Sequence, residues 1–493
     1  MPTALSSVIK AYDVRGVVPD QLDASVVRAI GAAFADVVVL PETPAGDRPR
    51  AVIGYDMRPS SPELSAAFAD GLASRGVDVT IAGLCSTDGL YYASGSLQIP
   101  GAMFTASHNP AQYNGIKMCR AGARPVGQDS GLSTIRDLAQ SWLDAGGVPA
   151  GGGTVGTVDE QDLLAAYAAH LRSLVDLSGS RRLKVVIDAG NGMGGFTAPA
   201  VLGDGAGLPA LPLDVEPLYF ELDGTFPNHE ANPLDPANLV DLQAAVPAAG
   251  ADLGLAFDGD ADRCFVVDEK GDPVSPSAVT AMVARREIAK ELRAGREPVV
   301  LHNLITSRAV PELIAADGGI PVRTRVGHSF IKEQMAQVGA VFGGEHSAHY
   351  YFREFWSADT GMLAAMHVLA VLAESDRPLS EIAAEYEKYV ASGEINSTVD
   401  DAAAVTEAVV AAERARAEAA GEELEIDTLD GVTVTHPGTG TAPMWWFNLR
   451  ASNTEPLLRL NAEGADGATM TAVRDRVLAR VRGGAARGPE GAL

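Results

Sequence analysis

Cysteine is scarce. Cys85, Cys119 and Cys264 are spread over 493 positions with no Cys-x-x-Cys spacing, which excludes a disulfide framework and a zinc ribbon and fits thiols kept reduced. Basic charge is also short: 38 Lys and Arg stand against 64 Asp and Glu, a formal net charge of −26. Such a field repels nucleic acid and anionic membrane, so neither is an expected partner, and an anionic substrate needs a local basic pocket. No apolar run reads as long enough to span a bilayer. The opening "MPTALSSVIKAYDVRG" lacks the basic head and apolar stretch of a secretory signal, so the expected setting is the cytoplasm.

What the chain does have is length and apolar content. With 493 residues, 46% of them hydrophobic, it is too long for one core and rich enough for several. Three β-type runs, "AVIGYD" (51–56), "LKVVIDAG" (183–190) and "PVVLHNL" (298–304), are each followed by a turn and a helix-like pattern, which predicts α/β layers. The Gly-rich "PAGGGTVGTV" (149–158), the turn in "DEKGDPVS" (268–275) and "ESDRPLS" (374–380) mark breaks. The expected units are therefore 1–150, 151–270, 271–376 and 377–493. The first three are α/β with only a weak visible repeat. The fourth is α+β, with a helix over 402–423, strands in "GVTVTH", "MWWFNLRAS" and "PLLRLNAE", and a last helix near 469–482. Asp359 precedes "TGMLAAMHVLAVLAE" as a candidate helix cap.

Chemistry concentrates in a few stretches. "DLGLAFDGDADRCFVVD" crowds Asp258, Asp260 and Asp262 into one tight turn after an apolar strand. Like charges so close raise one another's energy unless a cation binds, and hard carboxylate oxygens with small spacers suit Mg²⁺. A solvated acidic turn or a calcium loop has the same letters, although the later Glu of an EF-hand is missing and Arg263 follows at once. "TASHNP" (105–110) sets Ser107 beside a histidine before an Asn-Pro turn. Those residues form turns on their own account, and Ser-His adjacency does not orient a base. Asn114-Gly115 reads as a hairpin turn that would bring Lys117 back toward the serine, to hold phosphate oxygens or take a hydroxyl proton. "RVGHSFIKEQM" places His328 and Lys332 four apart on one helical face. "GGEHSAHYYF" packs Glu345, His346, Ser347 and His349 ahead of an aromatic strand, a density of donors and acceptors that suits sugar hydroxyls or a polar strand cap. "LRASNTEP" offers Arg450, Ser452, Asn453 and Thr454 as a phosphate cradle, or as an ordinary turn and N-cap. Together a hydroxyl, a tri-carboxylate site, basic residues, a sugar-type loop and a phosphate cradle specify phosphoryl transfer on a phosphosugar.

In their order along the chain, "AYDVRG", "TASHNP" with "NGIK", "DGDADR", "VGH", "GEHSAHYYF" and "RASNTEP" resemble the α-D-phosphohexomutase superfamily, and most its bacterial phosphomannomutase/phosphoglucomutase branch. The resemblance implies four domains around a central cleft and Ser107 as the phosphoserine. Asp258, Asp260 and Asp262 would hold Mg²⁺ against that phosphate, with Ser107 as a further ligand and Arg263 beside them. Arg15, with Tyr12 near it, Lys117, His328, Lys332 and His349 would bind phosphate or assist proton transfer, Glu345 and Ser347 would bind sugar hydroxyls, and Arg450, Ser452, Asn453 and Thr454 would grip the idle phosphate. A sugar 1,6-bisphosphate is the implied activator, and the oligomeric state is expected to be monomer or dimer.

Some relatives carry "TGSHNP", "DGDGDR" and "GEMSGH" where this chain has Ala106, Ala261, His346 and Ala348. The two changes in the sugar loop bear on substrate. Mannose or glucose phosphates are expected, with glucosamine phosphate the alternative, since that branch typically has Gln in place of His346. A phosphatase, or a phosphosugar-binding protein without catalysis, would share part of the pattern.

Overall fold

Parallel strands bound to an antiparallel hairpin recur in three successive sheets. In the computed structural model, which describes residues 4–9, 12–151, 153–440, 442–451 and 457–484 and leaves the side chains of His328 and Ser329 aside, the first sheet sets Asp78–Leu84, Arg50–Tyr55 and Gly101–Phe104 parallel. It then reverses into Tyr113–Arg120, against which Val14–Val17 lies. The second runs Leu213–Leu218, Leu183–Asp188, Leu253–Phe257, then antiparallel Cys264–Asp268 and Pro273–Val274. The third repeats this order with Ile320–Thr324, Val299–Asn303, Phe342–Gly344, then Tyr350–Phe352 and Ala358–Asp359. The fourth sheet pairs antiparallel throughout, Val390–Thr398 against Leu457–Gly464 and on through Trp445–Ala451 and Val432–His436 to Glu425–Asp427.

The repeat is therefore topological. Its significance lies in the hairpin: the connection after the central parallel strand carries Ser107 in the first sheet, Asp258 to Arg263 in the second and Glu345 to His349 in the third. Each of these connections contains a residue other than glycine in left-handed backbone, Ser107 at φ 48°, Ala261 at 58° and Ala348 at 65°. For an L-residue that conformation is costly, by about 1–2 kcal/mol. Glycine, which has no Cβ, fits this backbone without strain. At 261 and 348 buried alanine methyls stand instead.

Strand pairing and core packing run across the breaks read from composition. Val158–Glu160 pairs with Asp78–Leu84, so the first sheet continues past 150. Pro273–Val274 edges the second sheet past 270. Leu379, Ile382, Ala383 and Tyr386 are buried in the core shared by the second and third units, so the third continues past 376. Composition marks where a chain can bend, and strand pairing decides where it stops belonging to a sheet.

Three further expectations change. Asn114-Gly115 is no turn: both residues sit inside Tyr113–Arg120, opposite Gly16 and Arg15. The Asn114 amide is drawn inward to donate to the Ser60 and Ser61 hydroxyls at 2.8 and 2.9 Å, and a Cβ on Gly115 would meet the Val14 carbonyl at 2.3 Å. The reversal occurs instead over residues 105–112, and it does carry Lys117 back to the serine. Asp359 does not cap Gly361–Ala373, because Thr360 Oγ1 accepts from the Leu363 N–H. Finally, one helical stretch, Ala24–Glu42, is long and apolar enough to cross a membrane. It continues from Ala24–Phe34 through a wide π-helical turn, Ala35–Val39, and much of it packs in the core of the first unit. The helix Ala402–Ala420 starts from an Asp401 cap and ends at Gly421 in left-handed backbone.

Candidate active site

The serine loop is held from below by an arginine. Arg58 is buried, its Nη2 donates to the Ser107 and Asn109 carbonyls at 2.8 and 2.7 Å, and its Nη1 donates to those of Pro110 and Tyr113 at 2.9 and 3.0 Å. A guanidinium is the one side chain with enough directed donors for four carbonyls. Arg15 braces the other flank, donating from Nη1 to the Ala106 carbonyl at 2.6 Å and to Asn109. With the backbone so fixed, Ser107 Oγ donates to Asp258 Oδ2 at 2.8 Å. The neighbouring loop approaches closely because residue 259 is glycine: a Cβ there would lie 2.4 Å from the Ser107 carbonyl.

Asp258, Asp260 and Asp262 are all buried, with one oxygen of each within 4.8 Å of the others. Lys117 Nζ donates to Asp260 Oδ2 at 2.7 Å and Asp262 Oδ2 at 2.5 Å. Arg263 Nε donates to Asp258 Oδ2 at 2.9 Å, and its N–H to Oδ1 at 3.1 Å. Asp260 Oδ1 and Asp262 Oδ1 are buried with no hydrogen-bond partner among the described residues, a costly state for carboxylate oxygens. Three carboxylates face two cations in direct contact, so a divalent cation would satisfy both the charge and the orphaned oxygens. The donor set is hard oxygen throughout, which fits metal binding here.

Ionisation follows from these contacts. Burial raises the Asp258 carboxyl, and Asp262 and Asp260 raise it further against the pull of Arg263. Against burial, which would raise it, Lys117 and Thr87 hold Asp260 below the usual carboxylate range. Burial would lower Lys117, but Asp260 and Asp262 raise it and keep it a cation. Burial and then Arg263 push His108 down to about 2. Its ring is neutral, with Nδ1 accepting from Arg263 Nη2 at 2.7 Å.

The third loop meets this pair from the far side. Glu345 is buried and accepts from Tyr351 Oη at 2.5 Å, Asn303 Nδ2 at 3.1 Å and the Gly327 N–H at 3.3 Å. His349 Nδ1 lies 2.9 Å from Asp359 Oδ2 and 3.8 Å from Asp262 Oδ1. Burial would lower it, but the two aspartates raise its pKa above the ordinary histidine value. Ser347 is half-buried on the same turn. Lys332 and His346 make contacts of their own within the protein. Lys332 is buried, 2.6 Å from Asp359 Oδ1 and 3.7 Å from the centroid of Tyr91. His346 faces the Ser277 hydroxyl at 3.4 Å, at the junction with the fourth unit.

Arg450 lies on the strand Trp445–Ala451 directly across from Arg459, and both approach Glu394, at 3.7 and 3.3 Å. Arg450 Nε is buried with no hydrogen-bond partner among the described residues. Tyr12 packs edge-on against Phe330 at 5.9 Å, beside Gly327. With Lys332, Arg120 and Arg124 they line a groove of about 590 Å³ between the first and third units. Ser452, Asn453 and Thr454 lie outside the described residues. His328 opens the helix His328–Val338, and its side chain lies outside the description.

Four family models match in sequence, all described as phosphoglucomutase/phosphomannomutase: alpha/beta/alpha domain I over residues 6–143, domain II over 165–271, domain III over 275–389, and the C-terminal domain over 394–480. The chain belongs to the phosphoglucomutase/phosphomannomutase family. It is 39% identical to phosphohexose mutases of Xanthomonas campestris pv. campestris, covering 96% of this chain and 98% of that one. It is 36% identical to the phosphomannomutase of Escherichia coli K12, covering 95% and 97%. It is also 36% identical to the phosphomannomutase/phosphoglucomutase of Pseudomonas aeruginosa, covering 94% and 92%. A family protein of known structure from Burkholderia thailandensis superposes with a TM-score of 0.82 at 30% identity, covering 97% and 98%.

In this family member the helix Ala402–Ala420, for which the motifs offered no account, falls inside the C-terminal domain model. Two residues of the site escaped sequence reasoning. Arg58 sits in "DMRPSS" after an edge of apolar strand, and Thr87 in "CSTDG". Both act on partners far along the chain, so no local pattern marks them.

Proposed function

We propose that the chain is a phosphohexomutase of the isomerase class that interconverts the 1- and 6-phosphates of mannose and glucose through phosphorylated Ser107 and a sugar 1,6-bisphosphate. The observation that carries this reading is the Ser107 hydroxyl 2.8 Å from Asp258 at the edge of the tri-carboxylate cluster, a nucleophile and a cation site made by two loops facing each other. The family relatives named phosphomannomutase and phosphohexose mutases support it.

Asp258, Asp260 and Asp262 would hold Mg²⁺, which supplies charge neutralisation for the transferring phosphoryl group. The protein's own part is positional. Arg58 and Arg15 fix the Ser107 backbone, while Arg263 and Lys117 stand as cations around the phosphoryl group. In the forward half, the bond from phosphorus to Ser107 Oγ breaks as one forms to the sugar hydroxyl. His349, oriented by Asp359, takes and returns the hydroxyl proton. The bisphosphate turns end for end, and the other phosphoryl group passes back to Ser107. Glu345 and Ser347 grip the 3- and 4-hydroxyls, which roughly exchange places when the ring turns. Arg450 with Ser452, Asn453 and Thr454 holds the idle phosphate.

A coupled assay with mannose, glucose and glucosamine 1-phosphates, run with a trace of the 1,6-bisphosphate, tests the proposal. The first two should give 6-phosphates without net release of inorganic phosphate. Ser107→Ala should lose nearly all turnover and a phosphate-sized mass found on the parent. Stoichiometric phosphate release would make the protein a phosphatase, full activity of the alanine variant would remove the covalent carrier, and preference for glucosamine phosphate would move the substrate to the alternative branch.

A further inference from the structure

The helix Thr87–Leu97 begins against the metal loop of the next unit. Thr87 is fully buried, its Oγ1 donates to Asp260 Oδ2 at 2.6 Å, and its N–H donates to the Asp260 carbonyl at 3.1 Å. Lys117 Nζ donates to the same Oδ2. One oxygen of Asp260 thus has two donors and the other, Oδ1, has none among the described residues. Asp262 shows the same asymmetry, with Lys117 on Oδ2 and Oδ1 orphaned.

We infer that Thr87 is a positioning residue for the cation: by holding Oδ2 and the main chain of Asp260, it presents Oδ1 as the metal-facing oxygen. The inference rests on the metal reading proposed above and adds to it a residue that is not a ligand. Thr87 can do this because its own helix is anchored at the next position. Asp88 accepts from Ser86 in the same turn, from Tyr167 Oη of the second unit at 2.7 Å, and from Thr360 Oγ1 of the third at 2.7 Å. The first turn of this helix therefore joins three units, and Thr87 passes that rigidity to Asp260. Partners that orient a metal ligand in this way typically matter 10- to 100-fold in affinity.

The test is calorimetric titration of the dephosphorylated full-length protein with Mg²⁺ alone, on the parent, Thr87→Val, Thr87→Ala and Thr87→Ser, with thermal unfolding of each to show that it is folded. Valine keeps the shape and removes the hydroxyl, alanine removes both, and serine keeps the hydroxyl. The expected result is Mg²⁺ affinity about tenfold or more weaker in the valine and alanine variants and within about threefold of the parent in the serine variant. At saturating Mg²⁺ the KM for the sugar phosphate should stay within about threefold of the parent. Should valine fail to fold, alanine against serine carries the comparison. Parent-like affinity without the hydroxyl overturns the inference and leaves the metal site standing, and equal weakening with serine assigns the effect to packing and also overturns it. A parent that binds no Mg²⁺ overturns the metal reading itself.

Discussion

Ser107 Oγ and Asp258 Oδ2 are 2.8 Å apart, although 151 residues separate them in the chain. The pair belongs to two different sheets, and the contact depends on Gly259, whose missing side chain lets the loops touch. The Ser107 hydroxyl therefore owes its placement to domain packing, and on the proposed function the residues that fix the packing should matter to turnover as much as those that touch phosphate.

Arg58 is the first such residue. Arg58→Lys keeps the charge but cannot address four carbonyls, so turnover should fall by about 10²-fold or more while the protein still folds. Arg58→Met should do worse, because the buried Asp56 loses its partner, a loss of about 3–5 kcal/mol. Steady-state kinetics with thermal unfolding separates the two effects. Full activity in the lysine variant would show that the loop holds itself.

The orphaned oxygens of Asp260 and Asp262 predict that a divalent cation stabilises the fold. Raising Mg²⁺ to about 100 times its dissociation constant should add about 2.7 kcal/mol to the unfolding free energy, seen as a rise in Tm that excess chelator reverses. A Tm indifferent to Mg²⁺ and chelator alike would argue against the cation site.

Asp88 predicts a pH dependence of stability. Burial first, and the nearby Asp262 charge in addition, push its carboxyl up to about 6, although Ser86, Thr360 and Tyr167 donate to it. Between about pH 4 and 6 the folded chain keeps a proton that the unfolded chain has lost. This contribution is fully present below about pH 4 and is lost as pH rises through 6. The parent's advantage in Tm over Asp88→Asn should therefore be larger at pH 4.5 than at pH 7.5. A constant difference across that range would show that Asp88 does not titrate there.

Glu345 predicts sugar selectivity. Tyr351, Asn303 and Gly327 all donate to it, so Glu345→Gln would set an amide N–H₂ against at least one donor. The variant should lose about 10²-fold in kcat/KM and about 1–3 kcal/mol in stability. Galactose 1-phosphate, epimeric at carbon 4, should be used about 10⁴-fold less well than mannose or glucose 1-phosphate. Equal use of galactose would show that the loop does not read the 4-hydroxyl.

Much of this site was legible because its reactive groups lie in short loops where neighbours in sequence are neighbours in space. Asp258, Asp260 and Asp262 are such a case, as are Glu345 and His349. Arg58 and Thr87 were not legible, because their partners lie 49 and 173 residues away. Lys332 is held by Asp359 and the Tyr91 ring, contacts that its spacing from His328 does not show. Asn114-Gly115 reads locally as a turn, and the Ser60 and Ser61 hydroxyls with the close strand Val14–Val17 make it a strand. The fold class was readable from alternating patterns, whereas the unit boundaries depended on edge strands two or three residues long.

The hairpin that carries each of the first three loops is tied at both ends into a ladder of its own sheet. A protein engineer can treat each loop as a cassette: its length and letters can be exchanged between two fixed posts, and the sheet beneath keeps its register. If the proposed sugar-loop role holds, new sugar preferences are most economically sought by recombining residues 346–348 alone, with Glu345, His349 and the serine and aspartate cassettes left untouched.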